Sequence, residues 1–229
     1  MFKTMKEASE VVQGLSNPNK MPGWGYSIPA DACITGSKLR KIENSVCSKC
    51  YAHKGMYAFN NVKTALQNRL ESLDNVLWLP AMTHLIQGKY DNYLKKLNAN
   101  KRAAQDCEYF RIHDSGDILS LKHLLMWIDV ARNVPDVKFW LPTRETGIIR
   151  DFIRQGYTVP PNMIIRISAA MIGEPPQYWV DARPGISYSA VDFAAGNVDQ
   201  CGAYTRDGEC GPCRDCWDRN IRTISYPLH

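Results

Sequence analysis

From residue 107 onward the sequence alternates between two hydrophobic periods, and this alternation constrains the fold more than any other feature. CEYFRIH (107–113) reads as a strand. Ser120 is placed to cap a helix running through Val130, with Leu121, Leu124, Leu125 and Ile128 on its apolar face. VKFWLPT (137–143) is a second strand, and ETGIIRDFIRQG (145–156) a helix ended by Gly156. MIIRIS (163–168) and GISYSAV (185–191) supply further strands. Strands alternating with helices predict parallel strands joined by right-handed crossovers. A closed eight-fold barrel takes about 250 residues. This chain has 229 and commits its last stretch to cysteines. The expected fold class is therefore α/β, a partial TIM-like barrel of about five or six parallel strands with a cysteine-rich C-terminal tail. Residues 1–195 would form the barrel, including a cysteine loop over 33–50, and residues 196–229 a metal-binding tail packed on it. In such sheets ligands sit at the carboxyl ends of the strands.

The first hundred residues are less regular. Residues 1–14 predict a short helix, and SNPNKMPGWG opens a loop-rich region over 16–46. Within it YSIPA (26–30) predicts a short strand that delivers Cys33 to a loop, although Pro29 weakens a strand. Val62, Leu66, Leu70 and Leu73 share one face of a helix over 57–73, and a second helix covers 80–98 with Pro80 in its first turn.

MFKTMKEASEVVQG lacks the apolar core of a secretory signal, and no run approaches the roughly 18–20 apolar residues of a membrane span. A soluble, cytoplasmic protein is expected, with no membrane partner. Thiols stay reduced in that compartment, so eight cysteines point to metal binding or catalysis rather than disulfides. A net charge of +5 permits an anionic partner without demanding one. KLRK (38–41) and Lys95–Lys96 are too short to indicate nucleic-acid binding and read as solvated surface.

The cysteines fall into two sets and an outlier. Cys33, Cys47 and Cys50 are spaced C-x13-C-x2-C. Cys201, Cys210, Cys213 and Cys216 are spaced C-x8-C-x2-C-x2-C. Cys107, at the start of a strand, reads as a small buried hydrophobe. Both sets lie in polar, Gly-rich loops, where Gly202, Gly208, Gly211 and Pro212 allow turns that wrap thiolates around an ion or cluster. The tail's run matches the way ferredoxins hold a cubane, with Cys201 as the remote ligand; a structural zinc on the same four is the other reading. Three cysteines are too few for a closed zinc site unless His53 completes it. On a 4Fe–4S cluster, three leave one iron open. A redox dithiol at Cys47 and Cys50 would need no third cysteine.

A short strand, a cysteine loop, a helix and then a βα rhythm resemble the radical S-adenosylmethionine (SAM) superfamily. The resemblance implies that Cys33, Cys47 and Cys50 hold three irons of a 4Fe–4S cluster while SAM chelates the fourth. It also places Asp114, Ser115, Gly116 and Asp117 of FRIHDSGD where that superfamily contacts the methionine part of SAM. The usual C-x3-C-x2-C spacing is here C-x13-C-x2-C. Lys49 replaces the aromatic residue before the last cysteine, and Tyr51 follows it. CSKCYA (47–52), RIHDSGDI (111–118), FWLPTRE (139–145) and CGPCRDCW (210–217) together resemble the phage gene product 88 family, which implies iron–sulfur binding in a host cell's cytoplasm more than any one reaction.

Other strand-end residues join the candidates. His113, Asp114 and Asp117 are catalytic candidates, or else Asp114 and Asp117 cap a turn. Arg144 would bind a carboxylate or phosphate, or else pair with a nearby acid; Arg166 and Ser168 read similarly. Trp179 and Trp217 would cover a cluster from water or serve as core. Three functions compete: a radical SAM-like enzyme acting on a small molecule or unknown substrate, with an electron-donor protein as partner; an electron-transfer or redox-sensing protein; and a zinc-stabilised binding module.

Overall fold

The computed structural model describes residues 2–103, 105–178 and 183–228. Its centre is a seven-stranded, all-parallel sheet. The strands are β1 (Trp24–Tyr26), β2 (Tyr109–Ile112), β3 (Lys138–Thr143), β4 (Met163–Ser168), β5 (Ile186–Val191), β6 (Asp199–Gln200) and β7 (Thr223–Tyr226), in the spatial order β1-β2-β3-β4-β5-β7-β6. The helices are α1 (Met5–Val12), α2 (Ile34–Leu39), α3 (Asn60–Ser72), α4 (Trp78–Asn98), α5 (Leu121–Asn133) and α6 (Thr146–Arg154). From β1 to β5 each strand adds beside its predecessor, and α1, α4, α5 and α6 pack into one core.

Strand alternation sorts the side chains between the two faces. Tyr26, Phe110, Ile112, Phe139, Leu141, Ile165 and Tyr188 face the helices and form the main core with Trp78, Trp127, Ile149 and Phe152. Tyr26, Trp78 and Trp127 meet edge to face, with centroids 4.9–5.6 Å apart. Their intervening neighbours Tyr109, Trp140 and Ile164 turn to the opposite face. There the segment from Cys201 to Arg222 covers the sheet. Trp217 packs on Trp140 and Tyr109 and donates from Nε1 to the Phe110 carbonyl at 3.1 Å. Fully buried Arg166 reaches from β4 into that segment, donating to the carbonyls of Asp215, Cys216, Asp218 and Ile221 at 2.9–3.0 Å.

The structure corrects several sequence expectations. The strand expected at 26–30 ends at Tyr26, because Ile28 N–H leaves the sheet for the Ser115 carbonyl and Pro29 has no N–H to pair. The sheet has seven strands rather than five or six. The two extra ones, β6 and β7, lie inside the cysteine-rich segment. α3 begins at Asn60 because tight single turns over Tyr51–His53 and Gly55–Ala58 precede it. α4 begins at Trp78, which still leaves Pro80 in its first turn. Cys107 is only partly buried and precedes β2 rather than opening it. The Ser120 cap is present: its hydroxyl accepts from His123 N–H at 3.1 Å. No helix among the described residues is long and apolar enough to cross a membrane.

Candidate cysteine-lined site

The chain leaves β1 at its carboxyl end and is held there by the DSGD turn after β2. Ile28 N–H donates to the Ser115 carbonyl (3.1 Å), Ser115 Oγ donates to the Ile28 carbonyl (3.0 Å), and Asp114 N–H donates to Ser27 Oγ (3.3 Å). Gly116, at φ +84°, lets the turn close on Ile28; a Cβ there would stand 2.3 Å from Ile28 Cγ1. Cys33 follows and opens α2. The α2 amides are capped from a distance by buried Glu145, just past β3. Its carboxylate accepts from Ile34 N–H (3.1 Å), Thr35 N–H (2.7 Å) and Thr35 Oγ1 (2.7 Å). The loop then touches the end of β4, where Val46 N–H donates to the Ala170 carbonyl and Ile172 N–H to the Asn44 carbonyl, each at 2.9 Å. Ser45 caps the turn that presents Cys47 and Cys50.

These anchors bring Cys33 and Cys47 around Gly36. A Cβ added at Gly36 would lie 3.6 Å from both sulfurs and 2.9 Å from Cys33 Cβ. All eight cysteines are free thiols. Burial, followed by the charges of Asp117, Cys47, Cys50 and Glu145, pushes the Cys33 thiol far above its ordinary range. Burial also raises Cys47, opposed by the Arg144 cation. Buried Cys47, its thiol raised, is unlike the exposed thiolate of a redox nucleophile.

The strand-end candidates divide by role. Asp117 is a brace: Oδ1 accepts from Thr143 Oγ1 (2.6 Å) and Ile118 N–H (2.8 Å), and Oδ2 from Arg144 N–H (2.8 Å). Burial raises its carboxyl to about 6, against those hydrogen bonds. Asp114 Oδ2 accepts from Tyr57 at 2.6 Å and its carbonyl from Tyr51, while Oδ1 is buried without a partner. His113, at φ +64°, turns its ring into the helix layer against His123 and Trp127. Both its ring nitrogens lack partners, and burial holds it neutral, well below the usual histidine range. Arg144 Nε donates to the Ala169 carbonyl (3.3 Å) and forms no ion pair among the described residues. Arg166 binds backbone carbonyls rather than a carboxylate, and Ser168 Oγ accepts from Ser189 Oγ at 3.1 Å. His53 Nδ1 lies 3.7 Å from Asp31 Oδ1. Trp217 is core, and Trp179 lies outside the described residues.

The second cysteine set lies in the segment over the opposite sheet face. Cys201 N–H donates to the Ser225 carbonyl of β7 (2.8 Å) and Cys210 N–H to the Lys20 carbonyl (2.9 Å). The four thiols stand close enough to perturb one another. Burial first, then Cys201 and Cys213, raise Cys210; burial raises Cys216 to about 12, with Cys201 and Cys210 adding to it. Tyr226 Oη sits 3.3 Å from Cys216 Sγ.

The family model described as Gene product 88 matches residues 3–219, a span containing both cysteine sets. The chain belongs to the gene product 88 family. No curated protein and no solved structure matches it. Among the described residues of this gene product 88 chain, no three His, Cys, Asp or Glu side chains are grouped as ligands of a single metal ion. Sequence reasoning singled out the cysteines but missed the residues that seat them. Glu145 lies in the quoted FWLPTRE run, yet nothing in its spacing announces a cap on an amide 111 residues away. Gly36 and Thr35 sit in a stretch read only as loop, and Arg111 is an unremarked member of RIHDSGDI.

Proposed function

We propose that the chain is an iron–sulfur protein in which Cys33, Cys47 and Cys50 take a 4Fe–4S cluster by three irons. The fourth iron would face a small molecule, which is SAM in the radical SAM-like reading. The observation that carries this reading is the approach of Cys33 and Cys47 at one helix position, where a Cβ built on Gly36 would lie 3.6 Å from each sulfur. Three cysteines match three irons of a cluster, whereas a closed zinc site takes four protein ligands. The consecutive order of β1 to β5 and the loop's place at the carboxyl end of β1 fit a barrel segment with its site at the strand ends.

When bound, such a cluster supplies low-potential electrons, which in radical SAM chemistry start hydrogen abstraction from a substrate. The chain's own residues fix the loop and balance its charge. Glu145, Thr143 and Asp117 form one hydrogen-bonded chain from α2 to the turn after β2, so the cysteine loop cannot shift without breaking it. Arg144 offsets negative charge at Cys47. In the radical SAM-like reading Asp114, Ser115, Gly116 and Asp117 would contact the methionine part of SAM. A second reading, electron transfer or redox sensing without SAM, is favoured by the four tail cysteines, which lie on a sheet face that also carries Arg111 toward the first loop.

The protein should be purified without oxygen, its iron, sulfide and zinc assayed, and the reduced EPR spectrum recorded with and without SAM. Iron and sulfide with a SAM-sensitive signal are expected. A cluster signal indifferent to SAM leaves the electron-transfer reading. Colourless protein holding zinc alone rejects both and supports a zinc-stabilised module. Cys50→Ala should lose the loop's cluster; an unchanged spectrum would place any cluster in the tail.

A further inference from the structure

The segment that carries the first cysteine set also carries most of the chain's net charge. Residues 31–63 hold Lys38, Arg40, Lys41, Lys49, Lys54 and Lys63 against Asp31 and Glu43, which places four of the five net positive charges in this one stretch. In sequence KLRK is only a short basic run, but the fold gathers it with the others. Arg40 Nη1 and His53 Nδ1 approach the same Asp31 carboxylate, at 3.2 and 3.7 Å, so the end of α2 meets the turn after Cys50. Lys41 and Lys54 directly follow those two residues, and both are exposed. Lys49 is exposed between Cys47 and Cys50. Among the described residues, Lys38, Lys41, Lys49, Lys54 and Lys63 form no ion pair.

The same segment opens apolar side chains to solvent. Met56 is 69 % exposed and Phe59 61 %, and Ile34 and Ile42 are exposed as well. Phe59 N–H donates to the Met56 carbonyl at 3.2 Å, closing a tight turn in which side chains three residues apart lie over one another. Met56 and Phe59 therefore form one apolar step. Apolar and aromatic side chains among unpaired lysines suit a protein partner, where Met and aromatic residues fill the contact and charge at its rim steers the approach. Nucleic acid fits less well. Lysine lacks the planar fork that reads phosphate, and Ile34 and Ile42 offer no face for a base to stack on.

We infer that this surface docks a small acidic one-electron carrier protein, which would supply the electron to a cluster on Cys33, Cys47 and Cys50. The inference rests on the iron–sulfur reading and names the partner of that site. The cations and the cysteines share one segment, so a carrier seated on the lysines stands beside the cluster loop. One electron leaves the reduced carrier and one enters the oxidised cluster, with no bond made or broken. Encounters of this kind are small and transient, and opposite charge sets how fast they form.

The test uses the anaerobically purified full chain, with an acidic ferredoxin and an acidic flavodoxin as probes, and follows association and dissociation at low and high salt. Saturable binding of at least one carrier, weakening as salt rises, is expected. Lys41→Glu with Lys54→Glu should slow association roughly 10–100-fold at low salt, and the difference should shrink at high salt. Met56→Ser should weaken binding about 5-fold without changing the salt dependence. Lys95→Glu with Lys96→Glu makes the same change in net charge at the exposed end of α4, ahead of β2, and should leave association within about 2-fold of wild type. Equal association in wild type and the Lys41/Lys54 variant overturns the inference. So does an equal loss in the Lys95/Lys96 variant, or tighter binding of a single-stranded oligonucleotide than of both carriers. Iron-loaded protein that binds neither carrier overturns this inference alone. Carrier binding by protein that takes up no iron refutes the iron–sulfur reading and leaves the docking surface standing. A chain that does neither overturns both.

Discussion

Replacing Glu145 by alanine tests how the first cysteine loop is held, without reference to any cofactor. The carboxylate is 4 % exposed and accepts three hydrogen bonds from the start of α2. Hydrogen bonds to a charged acceptor contribute about 1.5–3 kcal/mol each, and loss of a helix N-cap costs about 1 kcal/mol. Two effects lower that sum. Ile34 is 45 % exposed, so water reaches the freed amides. Deleting Glu145 also removes the desolvation cost of its own charge. A net loss of about 2–3 kcal/mol follows, against a total stability of about 5–15 kcal/mol for a domain. Because α2 has only six residues, the loss should appear first as local opening. Amide exchange at Ile34 and Thr35 should quicken roughly 30–150-fold, with a smaller fall in the urea midpoint. Glu145→Gln keeps one acceptor oxygen and should lie between the two. Unchanged exchange at Ile34 and Thr35 in the alanine variant would refute the reasoning.

Asp117 carries a pH prediction. Its folded carboxyl is raised from 3.8 to about 6, so between those values the unfolded chain loses its proton first and stability falls as pH rises. The stability of wild type relative to Asp117→Asn should therefore drop by about 3 kcal/mol between pH 3 and 7, with the change confined to about pH 4–6. Urea unfolding at a series of pH values measures it, and a flat difference contradicts the assigned direction. Arg166→Ala removes a buried cation from at least four carbonyl acceptors in the tail, and should cost about 4 kcal/mol or more and expose residues 201–222 to limited proteolysis. Arg166→Lys, with three donors and no fork, should rescue it only in part. A protease-resistant Arg166→Ala tail would show that Trp217 packing alone seats the segment.

What the sequence disclosed, and what it hid, follow from how local each signal is. β2 to β5 and their helices were readable because apolar periodicity and the Ser120 cap act within a few residues. That Cys33 comes near Cys47 was anticipated from a short strand delivering it to the loop, and the structure brings both beside Gly36. β6 and β7 were hidden: β6 has two residues, and TISY shows no apolar run, since buried Thr223 and Ser225 alternate with Ile224 and Tyr226. α2 was hidden because six residues containing Thr, Gly and Ser have little helical propensity, and a side chain far along the chain supplies the cap. His113 was placed correctly at a strand end, yet its positive φ turns the ring away from the mouth and into the helices. No periodicity argument anticipates that turn.

The cover on the second sheet face explains why the cysteine tail is part of this fold rather than an appendage. A parallel sheet needs both faces buried, and every helix that packs in the main core serves the first. The other face carries Trp140 and Ile164, which are closed off by Trp217 from the tail, while β7 pairs directly with β5. Among the contacts that seat the tail are the carbonyls held by Arg166 and the Trp217 indole, and neither uses a thiol. Two perturbations should therefore diverge. A chain ending at residue 198 loses the cover of large side chains worth about 2–3 kcal/mol each, together with two strands, and that loss rivals the whole stability of a domain. It should bind ANS and unfold without a cooperative transition. Replacing Cys201, Cys210, Cys213 and Cys216 by serine in the full chain leaves the Arg166 and Trp217 contacts in place, and cooperative unfolding in urea should persist at a lower midpoint. Loss of cooperativity in the serine variant would instead make metal on the tail cysteines, rather than Arg166 and Trp217, the agent that closes the sheet.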